Sequence, residues 1–295
     1  MKKKIFIVVG IVLAFFILDR IVGYVLKQGL EKYFGLNQHS KVLLVGHSQL
    51  MLSVDKSSFE DSIGKSVSKY CREGVNIFDR YEMIRQIMES PCSDSLEYVL
   101  YGVDQFMFNN ADLSKNSYKL FYPFMDKENI DEYIYSSAPL SDYLIHKAIH
   151  TTRYSDALIN SALRGYFNNW NNYKFGKTDI EQLKKAVAEG RQRKISKDVS
   201  SKIRFEESID LLKSHGLKII LVGTPVVDIL NMSESEKYQE YIDYMNQLAQ
   251  SPDIEFWDLN PEFSSRYELF FDNIHLNRQG QTEVNKYLAE KFKSL

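Results

Sequence analysis

Two short stretches constrain the fold more than anything else in this chain. Residues 41–46 read KVLLVG and residues 217–223 read LKIILVG, with nothing polar after the leading residues. A strand with one wet face alternates polar and apolar positions, so an unbroken apolar run of this length points to a strand covered on both faces. Such strands belong to parallel sheets. The flanking sequence agrees. Helical patterns at 57–67 (SSFEDSIGKSV) and 79–90 (DRYEMIRQIMES) alternate with strand patterns at 68–78 and 95–104 (SLEYVLYGVD). After an interval the alternation resumes. A helix at 204–216 closes on Gly216 and precedes LKIILVGTPV, a further helix, the strand IEFWDL at 254–259 and a last helix at 277–295. This βαβ order predicts an α/β fold with helices on both faces of a parallel sheet. A Ser cap at Ser57 or Ser58 is expected for the first of those helices, with Gly64-Lys65-Ser66 inside it.

The amino terminus carries a second constraint. Met1-Lys2-Lys3-Lys4 precedes fourteen uncharged, mostly apolar residues, Ile5–Leu18; Asp19-Arg20 interrupt, and apolar residues continue to Leu26. The first run alone has the length of a signal-peptide core, whereas the whole stretch is long enough to span a bilayer. No small-residue cleavage pattern follows it. The segment therefore reads as an uncleaved anchor over 1–26, with a buried amino-terminal helix as the other reading. The lysines place the remainder outside the cytoplasm by the positive-inside rule. Residues 27–40 read as a juxtamembrane connector and 41–295 as the α/β domain. Within it, about 107–204 is polar, aromatic and then helical, which reads as an inserted cap or lid.

Composition excludes little. Thirty-seven basic and 39 acidic residues give a net charge of -2, which argues against a nucleic-acid partner. Cys71 and Cys92 lack CxxC spacing and leave a disulfide open in either direction. His146 and His150 are four apart, the spacing of one helix face, but no third ligand is evident and no metal or cofactor is expected. The basic run 191–204 suits a solvated helix face or an anionic polymer. Phe167–Tyr173 (FNNWNNY) suits a helix-to-loop transition or a sugar platform. Asn231-Met232-Ser233 spells a glycosylation sequon only.

In open parallel sheets, ligands bind beyond the carboxyl ends of the strands. There the first strand delivers Gly46-His47-Ser48-Gln49, and the loop after the last delivers FFDNIHLNRQG, residues 270–280. A serine hydroxyl needs a base within hydrogen-bond reach, and a histidine serves best when a carboxylate fixes its tautomer. Asp272 and His275, three apart, place those two groups in one turn. The plainer alternatives are a turn serine, a helix N-cap aspartate and a surface histidine.

Together these blocks resemble the SGNH/GDSL hydrolase superfamily, which has a Gly-x-Ser block near the amino end and an Asp-x-x-His block near the carboxyl end. With the amino-terminal anchor, the chain looks most like the membrane-bound branch that includes proteins of teichoic-acid D-alanylation and exopolysaccharide O-acetylation. The resemblance implies a three-layer α/β/α sandwich of the flavodoxin-like SGNH type, with Ser48, His275 and Asp272 as the catalytic triad. It implies oxyanion donors at the Ser48 N–H, at Gly74 and in the block Gly102-Val103-Asp104-Gln105. Asp104 stands where the family has Asn, and an ionised carboxylate there would repel an oxyanion. Gln105 or Asn109 is then the expected amide donor. His47 is expected either to bind substrate or to pack on the first helix. The implied activity is an extracytoplasmic esterase or O-acyltransferase on a cell-envelope polysaccharide or related ester, with a membrane acyl-donor protein as a possible partner. The alternative is an inactive scaffold or polymer-binding protein of this fold.

Overall fold

A computed structural model describes residues 2–109 and 116–295. They form two compact units, one of residues 35–109 and 170–295 and the other of residues 2–34 and 116–169.

The larger unit is built on five parallel strands: β1 (Val42–Gly46), β2 (Val67–Cys71), β3 (Tyr98–Val103), β4 (Lys218–Gly223) and β5 (Ile254–Asp258), in the order β2-β1-β3-β4-β5. This is the doubly wound order with its switch point between β1 and β3. β1 is buried at every position because both its faces are covered. Val42 and Leu44, with Leu100, Ile220 and Val222, face one apolar layer. That layer comes from α3 (Lys56–Ile63) and α13 (Arg278–Lys293), where Phe292 meets both Phe59 and Tyr98 edge-on. The alternate positions of each strand face the other way. Tyr101 packs on Phe205 of α9 (Val199–Ser214), which lies beside α4 (Ile77–Met88), and Phe256 packs on Tyr241 of α11 (Ser235–Leu248). The result is a three-layer α/β/α sandwich. Its remaining helices are α2 (Ser48–Ser53), α8 (Ile180–Ala188), α10 (Asp228–Ser233) and α12 (Asn260–Phe263).

Local ends differ from the sequence reading: β2 begins at Val67, and Ile77 and Phe78, read with that strand, open α4. The first layer helix is capped by Asp55, whose carboxylate accepts the Ser58 N–H, rather than by Ser57 or Ser58. Gly64 ends that helix in the left-handed region (φ 65°), so Gly64-Lys65-Ser66 is a helix stop and not a helix interior.

The smaller unit comprises α1 (Lys2–Phe34), α5 (Glu128–Ser137), α6 (Leu140–Ala148) and α7 (Asp156–Tyr166). The expected connector from Lys27 continues α1 without a break to Phe34. It does so because Leu30, Tyr33 and Phe34 are buried, and Gly29 lies directly against α7, where a Cβ would come within 2.4 Å of the Ala162 carbonyl oxygen. The segment read as one insert over 107–204 is divided: 116–169 belongs with α1, and 170–204 belongs with the sheet. Residues 110–115 of that segment lie outside the described residues. His146 and His150 do not share a helix face. α6 ends at Ala148, and His150 opens a separate 3-10 turn, His150–Arg153. Cys71 and Cys92 are free thiols, the first buried. α1 is long and apolar enough to cross a membrane.

Candidate active site

The glycine of Gly46-His47-Ser48 answers to packing. Gly46 ends β1 beside Gly102 of β3, and Leu50 of α2 crosses over both. A Cβ on Gly102 would sit 2.7 Å from Leu50 Cβ. The two bare backbones let α2 start immediately at the strand end, with His47 as its extended N-cap and Ser48 as its first residue. The other end of α2 is tied down by Lys69 of β2, a buried cation that donates to the carbonyls of Met51 (2.7 Å) and Val54 (2.5 Å). A cation at a helix carboxyl end satisfies carbonyls that have no partner within the helix. Gln49 is fixed as well, accepting the Thr224 hydroxyl at 2.6 Å.

The loop after β5 arrives at the same point. Ser48 Oγ lies 2.8 Å from His275 Nε2, and His275 Nδ1 lies 2.8 Å from Asp272 Oδ2. The other Asp272 oxygen accepts the backbone N–H groups of Ile274 and His275, each at 2.9 Å. With Nδ1–H donating to the carboxylate, Nε2 keeps its lone pair for the serine proton. Burial works against the charge of Asp272, but the hydrogen bond and charge of His275 and the two N–H groups outweigh it, holding the carboxyl below its ordinary range.

The loop is rigidly held. Phe271 N–H donates to the His275 carbonyl (2.8 Å), and Phe270 bridges Leu276. Asn277 caps α13 through the Gly280 N–H, while its amide donates to Glu268 O (2.7 Å) and Gly176 O (3.1 Å). Thr178 donates its hydroxyl to Asn273 (2.8 Å) and its N–H to Phe270 O. Gln281 reaches both Leu52 O (3.0 Å) and Asn172 O (2.6 Å), so α13 joins the end of α2 to the 170–178 segment. Of these supports, Gln49 and Asn277 lie inside the two blocks read from the sequence, while Thr178, Thr224 and Gln281 carry no motif of their own. Only the capping position of Asn277 before a helix was a visible signal.

The other expected site residues fall into three places. Gly74 occupies the turn after β2, with φ 75° and open space around it, at the carboxyl end of the strand next to β1. His47 and Asp104 meet: His47 Nε2 lies 2.5 Å from Asp104 Oδ2, both residues buried. Asp104 Oδ1 accepts the Phe106 N–H at 2.8 Å. Burial, and then the charge of Arg80, push His47 down to about 4 against the pull of Asp104. Burial opposes the charge of Asp104, yet His47, Arg80 and Arg193 hold its carboxyl well below the ordinary range. The carboxylate thus has Oδ1 hydrogen-bonded and Oδ2 against the His47 ring. Gln105 donates its amide to Asn231 (2.5 Å), and Asn109 is buried. Asn231 also donates to Asn260, so the residue of the sequon spelling serves the interior.

Two concavities adjoin these groups. An open cleft of about 550 Å³ is lined by Asp272, Asn273 and Phe271 with Lys177, Lys185 and Arg191. An apolar pocket of about 240 Å³ is lined by Gln105, Phe108, Tyr241 and Tyr244. His146 stacks on Tyr122 in the smaller unit. Among the described residues, no group of three or more His, Cys, Asp or Glu side chains is placed to hold a metal.

Comparison with known proteins adds little. A family model that carries no functional description matches residues 177–295, less than half of the chain, from just before α8 to the carboxyl end. No curated protein matches. Among solved structures, the lipase Lip_vut3 from a goat rumen metagenome is 11% identical, with a TM-score of 0.42, over 84% of this chain and 95% of its own.

Proposed function

We propose that this chain is a serine ester hydrolase or acyl transferase anchored in a membrane by α1. The observation that carries the reading is the continuous relay from Ser48 through His275 to Asp272, with both side-chain contacts at 2.8 Å. Ser48 Oγ attacks an ester carbonyl while His275 Nε2 takes its proton. Asp272 fixes the tautomer and stabilises the imidazolium. The Ser48 N–H, in the first turn of α2, has no partner within the helix and is the first oxyanion donor; Gly74 is the second. His275 then protonates the leaving alcohol, and the acyl-serine passes its acyl group to water or to a hydroxyl acceptor. Asp104 does not weigh against this chemistry, because its oxygens face His47 and the Phe106 N–H.

The finer reading rests on the SGNH/GDSL resemblance and on the lysines ahead of the apolar run. It is an extracytoplasmic enzyme transferring or removing a short acyl group on a cell-envelope polysaccharide. The open cleft beside Asp272, with three cations among its lining residues, suits a polar polymer better than a lipid chain.

The test is fluorophosphonate labelling of the full chain in detergent, beside Ser48→Ala and His275→Ala. Labelling of the wild type alone is the expected result. A folded wild type that takes no label would turn the reading to an inactive scaffold of the same fold.

A further inference from the structure

We propose that α6 lies in the interfacial layer of a lipid bilayer, with Leu140, Leu144 and Ile145 entering the acyl boundary beside α1. The proposal rests on the reading of α1 as a membrane span.

The reason is that α6 is built inside out. None of its nine residues is buried. Leu140, Leu144 and Ile145 are 61%, 54% and 50% exposed, and Ser141 and Ala148 are exposed with them. At 3.6 residues per turn these five positions form one unbroken stripe. The remaining positions are polar, and they attach the helix to its unit. Tyr143 donates its hydroxyl to Asp131 (3.1 Å), and Lys147 pairs with the same carboxylate (2.6 Å). The His146 ring stacks on Tyr122 at 3.8 Å, and its carbonyl accepts from Arg153 (2.6 Å). A surface helix of a water-soluble protein does the reverse, turning its apolar stripe inward. Tyr135, 62% exposed and edge-on to Tyr143, widens the patch with a residue type enriched at membrane surfaces.

The depth is set by hydrogen bonds to α1. Arg20 donates to the Ala148 carbonyl (3.1 Å), the last residue of α6. Asp19 accepts the N–H groups of His150 and Thr151 (2.8 Å each) and the Thr151 hydroxyl (2.7 Å). The end of α6 is therefore pinned one to two residues past Leu18, where the exposed apolar run Ile5–Leu18 stops. That run rises only about 21 Å, against a hydrocarbon core of about 30 Å. The bonds that bury Asp19 satisfy its carboxylate, which unpaired would end the span. Ile21, Val22, Tyr24 and Val25 beyond it are still exposed. An apolar helix fixed at that level completes the bilayer boundary. Lipid is favoured over a protein partner because the patch is continuous with α1 through these bonds. Partition of such a helix into the headgroup and acyl boundary follows its buried apolar area.

The experiment uses the full chain reconstituted in phosphatidylcholine vesicles, as Leu144→Trp and, separately, Phe16→Trp on α1. Fluorescence quenching is read as the increment over wild type, whose tryptophans, Trp170 and Trp257, lie in the sheet unit. One lipid is brominated near the glycerol end of its chain, another near the methyl end. The expected result is Phe16→Trp quenched more by the methyl-end lipid and Leu144→Trp quenched more by the glycerol-end lipid. If Phe16→Trp is quenched and Leu144→Trp keeps the emission of a water-exposed indole, the interfacial helix is overturned while the span stands. Deep quenching of Leu144→Trp overturns it too. If neither is quenched, the span itself fails, and the proposal with it.

Discussion

Asp272 uses its two oxygens differently, which makes a single-atom change informative. Oδ1 holds the turn through the Ile274 and His275 N–H groups, and Oδ2 faces His275 Nδ1. In Asp272→Asn the amide oxygen can keep the turn while the NH2 replaces Oδ2, which favours the wrong imidazole tautomer. Turnover of an activated acetyl ester should fall by about 10³–10⁴-fold with little change in melting temperature. Ser48→Ala should lower it by at least about 10⁴-fold. A modest loss in either variant would remove the relay from the mechanism. At this scale the sequence was most legible at Ser48, Asp272 and His275, where residue type and spacing together marked side chains that the fold brings into contact. It was least legible at Asp104. Its partner, His47, is 57 positions away, and only the neighbouring ends of β1 and β3 bring the two side by side.

Elements were legible wherever an apolar pattern filled them. Four of the five strands fall inside the runs that mark them; β2 is shifted, beginning at Val67 in the stretch read as helix and stopping at Cys71, because its buried Ser68 and Lys69 blur the apolar pattern. Ends were harder, since a cap is one side chain and competes with neighbours. Asp55 wins over Ser57 and Ser58 because it alone precedes the first turn. The break between α6 and His150 has no sequence marker either. It is made by Asp19, distant in the chain, which accepts the N–H groups of His150 and Thr151. The element that matters most to the site is α13. Asn277→Ala removes its cap and two loop contacts at once, and should cost about 2–3 kcal/mol in a denaturant titration. Gly280→Ala tests the same seam sterically. A Cβ there would lie 2.3 Å from the Leu269 carbonyl oxygen, so α13 or the loop must shift. A loss of about 1–3 kcal/mol is expected. Because that loop carries Asp272 and His275, ester turnover should drop in parallel. Full activity at reduced stability would show that the loop keeps its geometry without α13.

For the whole molecule, the charge pattern sets how stability follows pH. His47 sits buried near Arg80 and Arg193, and the folded chain holds it neutral down to about pH 4. An unfolded histidine takes its proton near pH 6.5. Between these values the unfolded chain binds one more proton than the folded chain at this site. Stability from His47 is therefore complete above about pH 6.5 and declines as pH falls towards 4, with a slope of about 1.4 kcal/mol per pH unit. Asp104 and Asp272, both depressed, act lower: their contributions are present above the unfolded carboxyl range near 4 and are lost as pH falls through their folded values. The two windows barely overlap, so they can be separated. His150 is also pushed down to about 4, by burial and then by the charges of Arg153 and Arg20, but it belongs to the smaller unit. Trp170 and Trp257 both lie in the sheet unit, so their fluorescence reports from that unit. In denaturant titrations read by that signal between pH 6.5 and 4, His47→Gln should flatten the slope by about one proton. An unchanged slope would mean that His47 is protonated in the folded chain and that its contact with Asp104 is a buried ion pair. The site beside Ser48 would then carry one more positive charge than the geometry around Arg80 and Arg193 favours.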